Sequence, residues 1–254
     1  MLQVKREFQI TFLRSEVLGR VPRIVHAFST RRSGQNDFTL GAGAPSNPLE
    51  QMNRVRFLAS IGAPGWPLLK LKQVHSGIIR EMDDTSAAGE AVEGDASITA
   101  LPGVLLGVQT ADCVPILLAD SETRAVAAVH AGWRGTAARI AQATVDRLRE
   151  KSGIGGKSLV AAIGPHIGVC CYEVGEEVVE AIGDSALVER RPEWAKPHLN
   201  LMEANRRQLV KAGVTENQID VSSLCTRCRG DLFFSFRREA KKTGHMLAVI
   251  GIAL

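Results

Sequence analysis

The chain has 254 residues, 45% hydrophobic and 23% charged, the balance of a globular protein with a sizeable core. A formal charge of +4 at pH 7 admits an anionic small-molecule substrate but is too mild and dispersed to point to nucleic acid. No run approaches the ~18 apolar residues of a membrane span, no continuous apolar signal-peptide stretch is visible at the start, and five cysteines, an odd number, suit a reducing compartment. A cytoplasmic protein without membrane or nucleic-acid partners is expected.

In chain order, residues 21–30 read as a strand and the Gly-, Ser-, Asn- and Pro-rich residues 31–47 as a loop. Residues 47–61 carry helix signals: Asn47 as N-cap, Pro48 at the first helical position, Gly62 just beyond the end. Residues 68–82 are strand-like around His75, and residues 83–94 form an acidic loop. Short strands follow over 95–99 and 104–108. Two apolar runs, 114–119 and 124–129, flank a polar turn and predict a β-hairpin. If paired residue numbers sum to 244 or 243, Cys113 lies opposite Ala131 or His130, within reach on one face. Pro115 lacks a ladder donor and could introduce a bulge that flips Cys113 to the other face. Residues 135–150 predict the clearest amphipathic helix. Beyond it come a strand at 158–164, helices at 175–183 and 200–212, and closing strands at 232–237 and 246–252. Without a clean βαβ alternation, this order predicts an α/β (α+β) fold of mixed β-sheets flanked by helices, in one domain over 1–254.

Three reactive side chains stand in distinctive segments: His75 in LKQVHSG, Cys113 in GVQTADCVPILLAD and His130 in AAVHAGWRG. Two imidazoles and a thiolate can hold zinc and leave a fourth position open; copper also accepts these donors. The same groups could make a cysteine nucleophile with a histidine base, or be a buried cysteine and two hydrogen-bonded histidines. The convergence of His75 is not readable from local pattern. Asp112 could orient a ligand histidine, act as a general base or cap a turn. After His130, Gly132 and Gly135 let backbone approach a ligand, and Arg134 with the next helix N-terminus could hold a phosphate or carboxylate. Arg31-Arg32 and Arg237-Arg238 are further anion candidates. Cys225 and Cys228 form a CxxC that supplies only two ligands. The vicinal Cys170 and Cys171 could complete a four-thiolate set, but ordinary structural thiols are the expected reading.

QVHSG, GDASIT, TADCVPILLAD, HAGWRGT, AAIGPHIGVCCYEVG and FFSFRREAKKTG, in this order, resemble the YfiH family from about residue 25 to the C-terminus. The family is also known as the laccase-like polyphenol oxidoreductases or peptidoglycan editing factors. The resemblance implies a core like the deamidase domain of cytotoxic necrotizing factors and a metal held by His75, Cys113 and His130. The chemistry of that core is a cysteine–histidine pair, which points to Cys113 and His130 as catalytic groups. With no HxE at either histidine, Asp112 is the further catalytic candidate, and Arg134, Arg31 and Arg237 are the candidates for substrate or phosphate binding. Three departures from the family pattern stand out: Thr39 replaces an asparagine and His245 replaces an arginine, both of which bear on substrate contacts, and the loop RRSGQND is shorter and less glycine-rich. The expectation is a zinc enzyme, with copper as the other metal, acting on purine nucleosides and phosphate by phosphorolysis and by deamination of adenosine. A metal-free Cys-His hydrolase or amidase in peptidoglycan precursor editing, a copper-dependent phenol oxidase, and a non-enzymatic partner of cell-wall or division proteins are the alternatives.

Overall fold

The computed structural model describes residues 1–41, 48–84, 92–153, 158–240 and 243–254. The chain opens on a hairpin of β1 (Leu2–Glu7) and β2 (Ile10–Ser15), then α1 (Glu16–Gly19), β3 (Ile24–Ser33) and β4 (Asn36–Asp37). Next come α2 (Pro48–Ser60), β5 (Leu68–Lys70), β6 (Ile79–Glu81), β7 (Ala96–Thr99) and β8 (Leu105–Thr110). The central hairpin, β9 (Val114–Asp120) and β10 (Val126–Ala131), leads into α3 (Trp133–Ala137), α4 (Ile140–Ser152) and β11 (Leu159–Ile163). The rest is α5 (Glu176–Ile182), β12 (Val188–Glu189), β13 (His198–Leu199), α6 (Leu201–Lys211), β14 (Ile219–Val221), α7 (Phe236–Glu239) and β15 (Met246–Ile252).

One large sheet runs β1-β2-β3-β15-β8-β5, with β4 on β3; the other runs β14-β11-β9-β10-β7-β6. Most neighbours are antiparallel, but β5 and β8, β6 and β7, and β11 and β14 pair parallel. This is the expected mixture of sheets and flanking helices.

Strand alternation builds the layers. On β9, Ile116 and Leu118 join α4 residues Ile140, Val145 and Leu148 in one apolar cluster. Leu117 and Ala119 face the other way and meet Phe28, Leu106 and Ile250 of the first sheet in a second cluster. A third cluster seats Phe57 and Leu58 of α2 on Phe12, Leu247 and Val249. The order is therefore helices, sheet, sheet, helix. Because β9 is covered on both faces, all seven of its residues are buried, which explains its unbroken apolar run.

The structure corrects several sequence expectations. The central hairpin forms, but its pairs sum to 245, with His130 opposite Pro115 and Ala131 opposite Val114. Pro115 causes no bulge there. Its carbonyl accepts from Gly164 N, so its missing N–H also points toward β11, beyond that strand's last pair, Ile163 with Ile116. Residues 68–82 are not one strand: β5 belongs to the first sheet, β6 to the second, and His75 sits between them at φ 57°. The expected helix over 135–150 begins at Trp133 and breaks at Arg139, φ 58°. Residues 232–237 are not a strand: Ser235 Oγ accepts from Arg238 N and caps α7. The apolar pair Phe233 and Phe234 is buried without a ladder because Phe234 N donates to Met246 Sδ. The N-cap expected at Asn47 lies outside the described residues, as does most of the acidic loop, while α2 forms as expected. Among the described residues no helix is long and apolar enough to cross a membrane.

Gly164 joins the two sheets at close range. A Cβ there would lie 2.3 Å from the Phe28 ring. Gly164→Ala should therefore force the sheets apart locally and lower stability by about 1–3 kcal/mol. Denaturant unfolding of both proteins checks this, and equal midpoints would contradict the packing argument.

Candidate functional site

His130 and Cys113 reach one another through the corrected register. His130 lies near the end of β10 on the side shared with Val126 and Ala128, which faces the first sheet. Cys113 precedes β9 and is two residues from Pro115, His130's partner, so it is a diagonal neighbour of His130. Continuing the ladder puts Gly132 opposite Cys113. A Cβ on Gly132 would stand 3.2 Å from Cys113 Sγ and 3.0 Å from the His75 ring. Glycine is needed there for space, since its φ of −75° suits any residue.

His75 arrives from the crossing between sheets. Its Nε2 is 3.9 Å from Cys113 Sγ, and its ring meets that of His130 edge-on at 4.9 Å between centroids. One donor atom from each of His75, Cys113 and His130 lies within 4.8 Å of the others. His130 is buried, Cys113 half-buried and His75 exposed, so the trio has a protein side and an open side.

Asp95, fully buried before β7, organises the trio. Its Oδ1 accepts from His75 N at 3.1 Å and from His130 Nδ1 at 2.8 Å. Its Oδ2 accepts from Val74 N, Ser76 N and Ser76 Oγ. Burial pushes the Asp95 carboxyl up, but the bonds from His130 and Ser76 hold it well below the usual carboxylate range. An ionised carboxylate accepts only, so the neutral His130 ring carries its proton on Nδ1, leaving Nε2 for a ligand. The orienting role considered for Asp112 therefore falls to Asp95. Its position at the head of a short strand in GDASIT was the available sequence signal.

Burial pushes the Cys113 thiol up, but the charge and hydrogen bond of His130, with His75 adding, bring it down to about 6. Burial pushes His130 down, while the Cys113 thiolate and Asp95 raise it to about 9. Without metal, the ion pair is populated between those values. This donor set, a thiolate and two imidazoles with an acid behind one of them, fits zinc in chemistry and hydrogen bonding; copper fits the same donors.

A cavity of about 610 Å³ opens over the trio, lined also by Gln73, Asp112, Trp133, Tyr172, Arg237 and His245. Asp112 is built into its wall. Its carboxylate accepts from Thr226 Oγ1 at 2.6 Å, Ser235 Oγ at 3.0 Å and Arg237 N at 2.7 Å. Burial, then the nearby Cys113, raises the Tyr172 phenol above its ordinary value, so it stays protonated. The other arginine candidates do not line this cavity. Arg134 stacks on Trp133 and lines an adjoining cavity of about 400 Å³ with Glu173, Glu177 and Lys196. Arg31 is held by Asp37 and Glu239. His245, placed near substrate contacts by the resemblance, does line the cavity; Tyr172 and Trp133 were not singled out from sequence, because their segments approach only in the fold.

Two outcomes follow. In chelator-treated protein, alkylation at Cys113, followed by peptide mass spectrometry, should rise with pH through a midpoint near 6, against the ordinary ~8.5 of a thiol. The thiolate is lost as pH falls below that midpoint, and His130→Ala should move the midpoint up. Gly132→Ala should press on both His75 and Cys113 and weaken metal binding roughly tenfold or more, read by competition with a chelator.

Comparison with known proteins identifies the family and the fold. The family described as multi-copper polyphenol oxidoreductase laccase matches residues 25–253. A purine nucleoside phosphorylase from Deinococcus radiodurans is 39% identical over 251 residues, covering 92% of each chain. An adenosine deaminase from an unknown prokaryotic organism is 45% identical over 169 residues, covering 65% of this chain and 63% of that protein, so this match spans less than two thirds of its length. The crystal structure of YlmD from Geobacillus stearothermophilus superposes with TM-score 0.85 and 32% identity, over 99% of this chain and 98% of that one. With the trio, its supporting acid and the two-sheet frame in place, the chain belongs to the multi-copper polyphenol oxidoreductase laccase family, the group to which YfiH and YlmD belong.

Proposed function

We propose that this chain is a zinc-dependent enzyme acting on purine nucleosides, by phosphorolysis of adenosine, inosine and methylthioadenosine and by deamination of adenosine. The observation that carries the reading is the convergence of His75, Cys113 and His130, backed by Asp95, at the floor of a cavity large enough for a nucleoside. The names of the Deinococcus phosphorylase and the prokaryotic deaminase support the substrate class. His75, Cys113 and His130 would hold the metal, which when bound supplies a Lewis acid and an activated water at neutral pH.

The remaining roles belong to the chain's own groups. Asp95 fixes His130 in one tautomer and aims its Nε2. Leu71, Ile167 and Phe236 give the cavity apolar walls for a base, and Arg237 puts a cation on its lining for phosphate. In deamination, water oxygen bonds to C6 of adenine and ammonia leaves; the protonated Tyr172 phenol is one proton donor on the lining. In phosphorolysis, a phosphate oxygen bonds to C1′ as the glycosidic C–N bond breaks and the base leaves with a proton.

A second reading has a specific observation behind it. Cys113, His130 and Asp95 form a line from thiolate to imidazole to carboxylate, the arrangement of a cysteine nucleophile, its base and the base's orienting acid. Such an enzyme would work without metal.

Metal content and turnover of adenosine and inosine separate these readings. The zinc enzyme requires turnover to be lost on chelation and restored by zinc. Cys113→Ala should abolish both turnover and binding at this site, and Asp95→Asn should reduce metal affinity or rate about 10–100-fold. Turnover that survives chelation but not Cys113→Ala would establish the cysteine hydrolase instead. Turnover of phenols restored by copper alone would establish the oxidase reading.

A further inference from the structure

The four cysteines outside the first site do not stay apart as ordinary structural thiols. The fold brings one sulfur from each of Cys170, Cys171, Cys225 and Cys228 within 4.8 Å of all the others. Cys228 Sγ lies 3.4 Å from Cys171 Sγ and 3.7 Å from Cys170 Sγ. Four thiolates at ~2.3 Å around a tetrahedral zinc stand about 3.8 Å from one another, so the sulfurs are spaced for one ion. None of the four is paired as a disulfide.

We propose that Cys170, Cys171, Cys225 and Cys228 form a second metal site, a four-thiolate zinc centre that ties residues 164–175 to residues 222–235. Four sulfur donors in a tetrahedral arrangement select zinc over the harder divalent ions. Zinc would displace the thiol protons as it binds, leaving a centre with net charge of −2 and no change of oxidation state.

The surroundings suit such a centre. Gly168 N donates to Cys225 Sγ at 3.2 Å and Arg227 Nη1 to Cys171 Sγ at 3.5 Å, which places amide and guanidinium donors against the excess negative charge. Gly168 itself leaves room: a Cβ there would lie 3.2 Å from Cys170 Sγ and 3.6 Å from Cys225 Sγ. The Cys-Thr-Arg-Cys segment is turned, with Arg229 N donating to Cys225 O, so that both cysteines of the CxxC face the same point.

The consequence is local order. Residues 164–175 and 222–235 contain no helix or strand beyond single bridges, yet they carry part of the cavity wall. Thr226, between Cys225 and Cys228, donates to Asp112, and its carbonyl accepts from Arg238. Tyr172 follows Cys171 directly and lines the cavity. A metal linking the two segments would hold that wall by a bond network that their short turns cannot supply.

The full-length Cys113→Ala variant tests this independently of the function proposed above, because it removes a ligand from the first site only. Purified under reducing conditions and loaded with zinc alone, it should retain about one zinc per chain by elemental analysis, with an X-ray absorption shell of four sulfurs at ~2.3 Å. Adding Cys225→Ser and Cys228→Ser should remove that zinc. Should this variant fail to fold, thiol counting on Cys113→Ala gives the second reading: stripping zinc with a chelator should make four more thiols open to alkylation. A variant that retains no zinc, a zinc shell containing nitrogen, four thiols alkylated equally fast with and without zinc, or a reduced-buffer mass short by the hydrogens of a disulfide would each overturn the proposal.

Discussion

One buried carboxylate holds the functional end of this molecule together. Asp95 has no exposed surface and accepts from three successive backbone amides, a serine hydroxyl and the His130 ring. Burying a carboxylate is costly unless each lone pair has a donor. The segment around His75 meets that need, and in doing so His75 adopts φ 57°, a conformation that L-residues reach only when surrounding bonds favour it. The main chain adds a further tie, as His130 N donates to Asp95 O. One side chain thus fixes the ring orientation of His130 and the backbone position of His75.

The layers explain why this assembly sits where it does. Side chains between the two sheets are apolar along most of the interface, from Phe28 to Ile250. At the end of β10 the same inward direction carries His130, and before β9 it carries Cys113. Polar chemistry appears where the sheets stop and the crossing between β5 and β6 closes the edge. The thiolate and imidazolium there perturb each other because both are shielded from water while remaining paired. The low Cys113 pKa and the high His130 pKa are two views of one ion pair.

The remaining wall of the cavity is made by segments with little regular structure. Asp112, at φ 101°, joins them: its carboxylate gathers Thr226, Ser235 and the amide of Arg237. Its three accepted bonds make it a fastening for the wall. Arg31 does comparable work farther off, spanning Asp37 and Glu239 and bonding the carbonyls of Gly230 and Phe233. Arginine-rich motifs that look like anion sites in a sequence are here largely committed to internal carboxylates and carbonyls.

The sequence by itself determined the chemistry on offer and the local elements. Continuous apolar runs marked the central hairpin and β15, Pro48 and Gly62 bounded α2, and the types of His75, Cys113 and His130 named a soft-metal or nucleophile site. These are short-range properties, set by side-chain spacing and backbone preference. Only the tertiary structure decided the rest. A register differing by one or two from the expected sum made Cys113 diagonal to His130 and placed Gly132 beside its sulfur. Residues 232–237 turned instead of pairing because Ser235 caps a helix. Asp95 met both histidines, and Cys170 and Cys171 met Cys225 and Cys228, across separations that no local pattern encodes. Such meetings are fixed by how sheets stack and loops cross between them, where each contact depends on every layer already being in place.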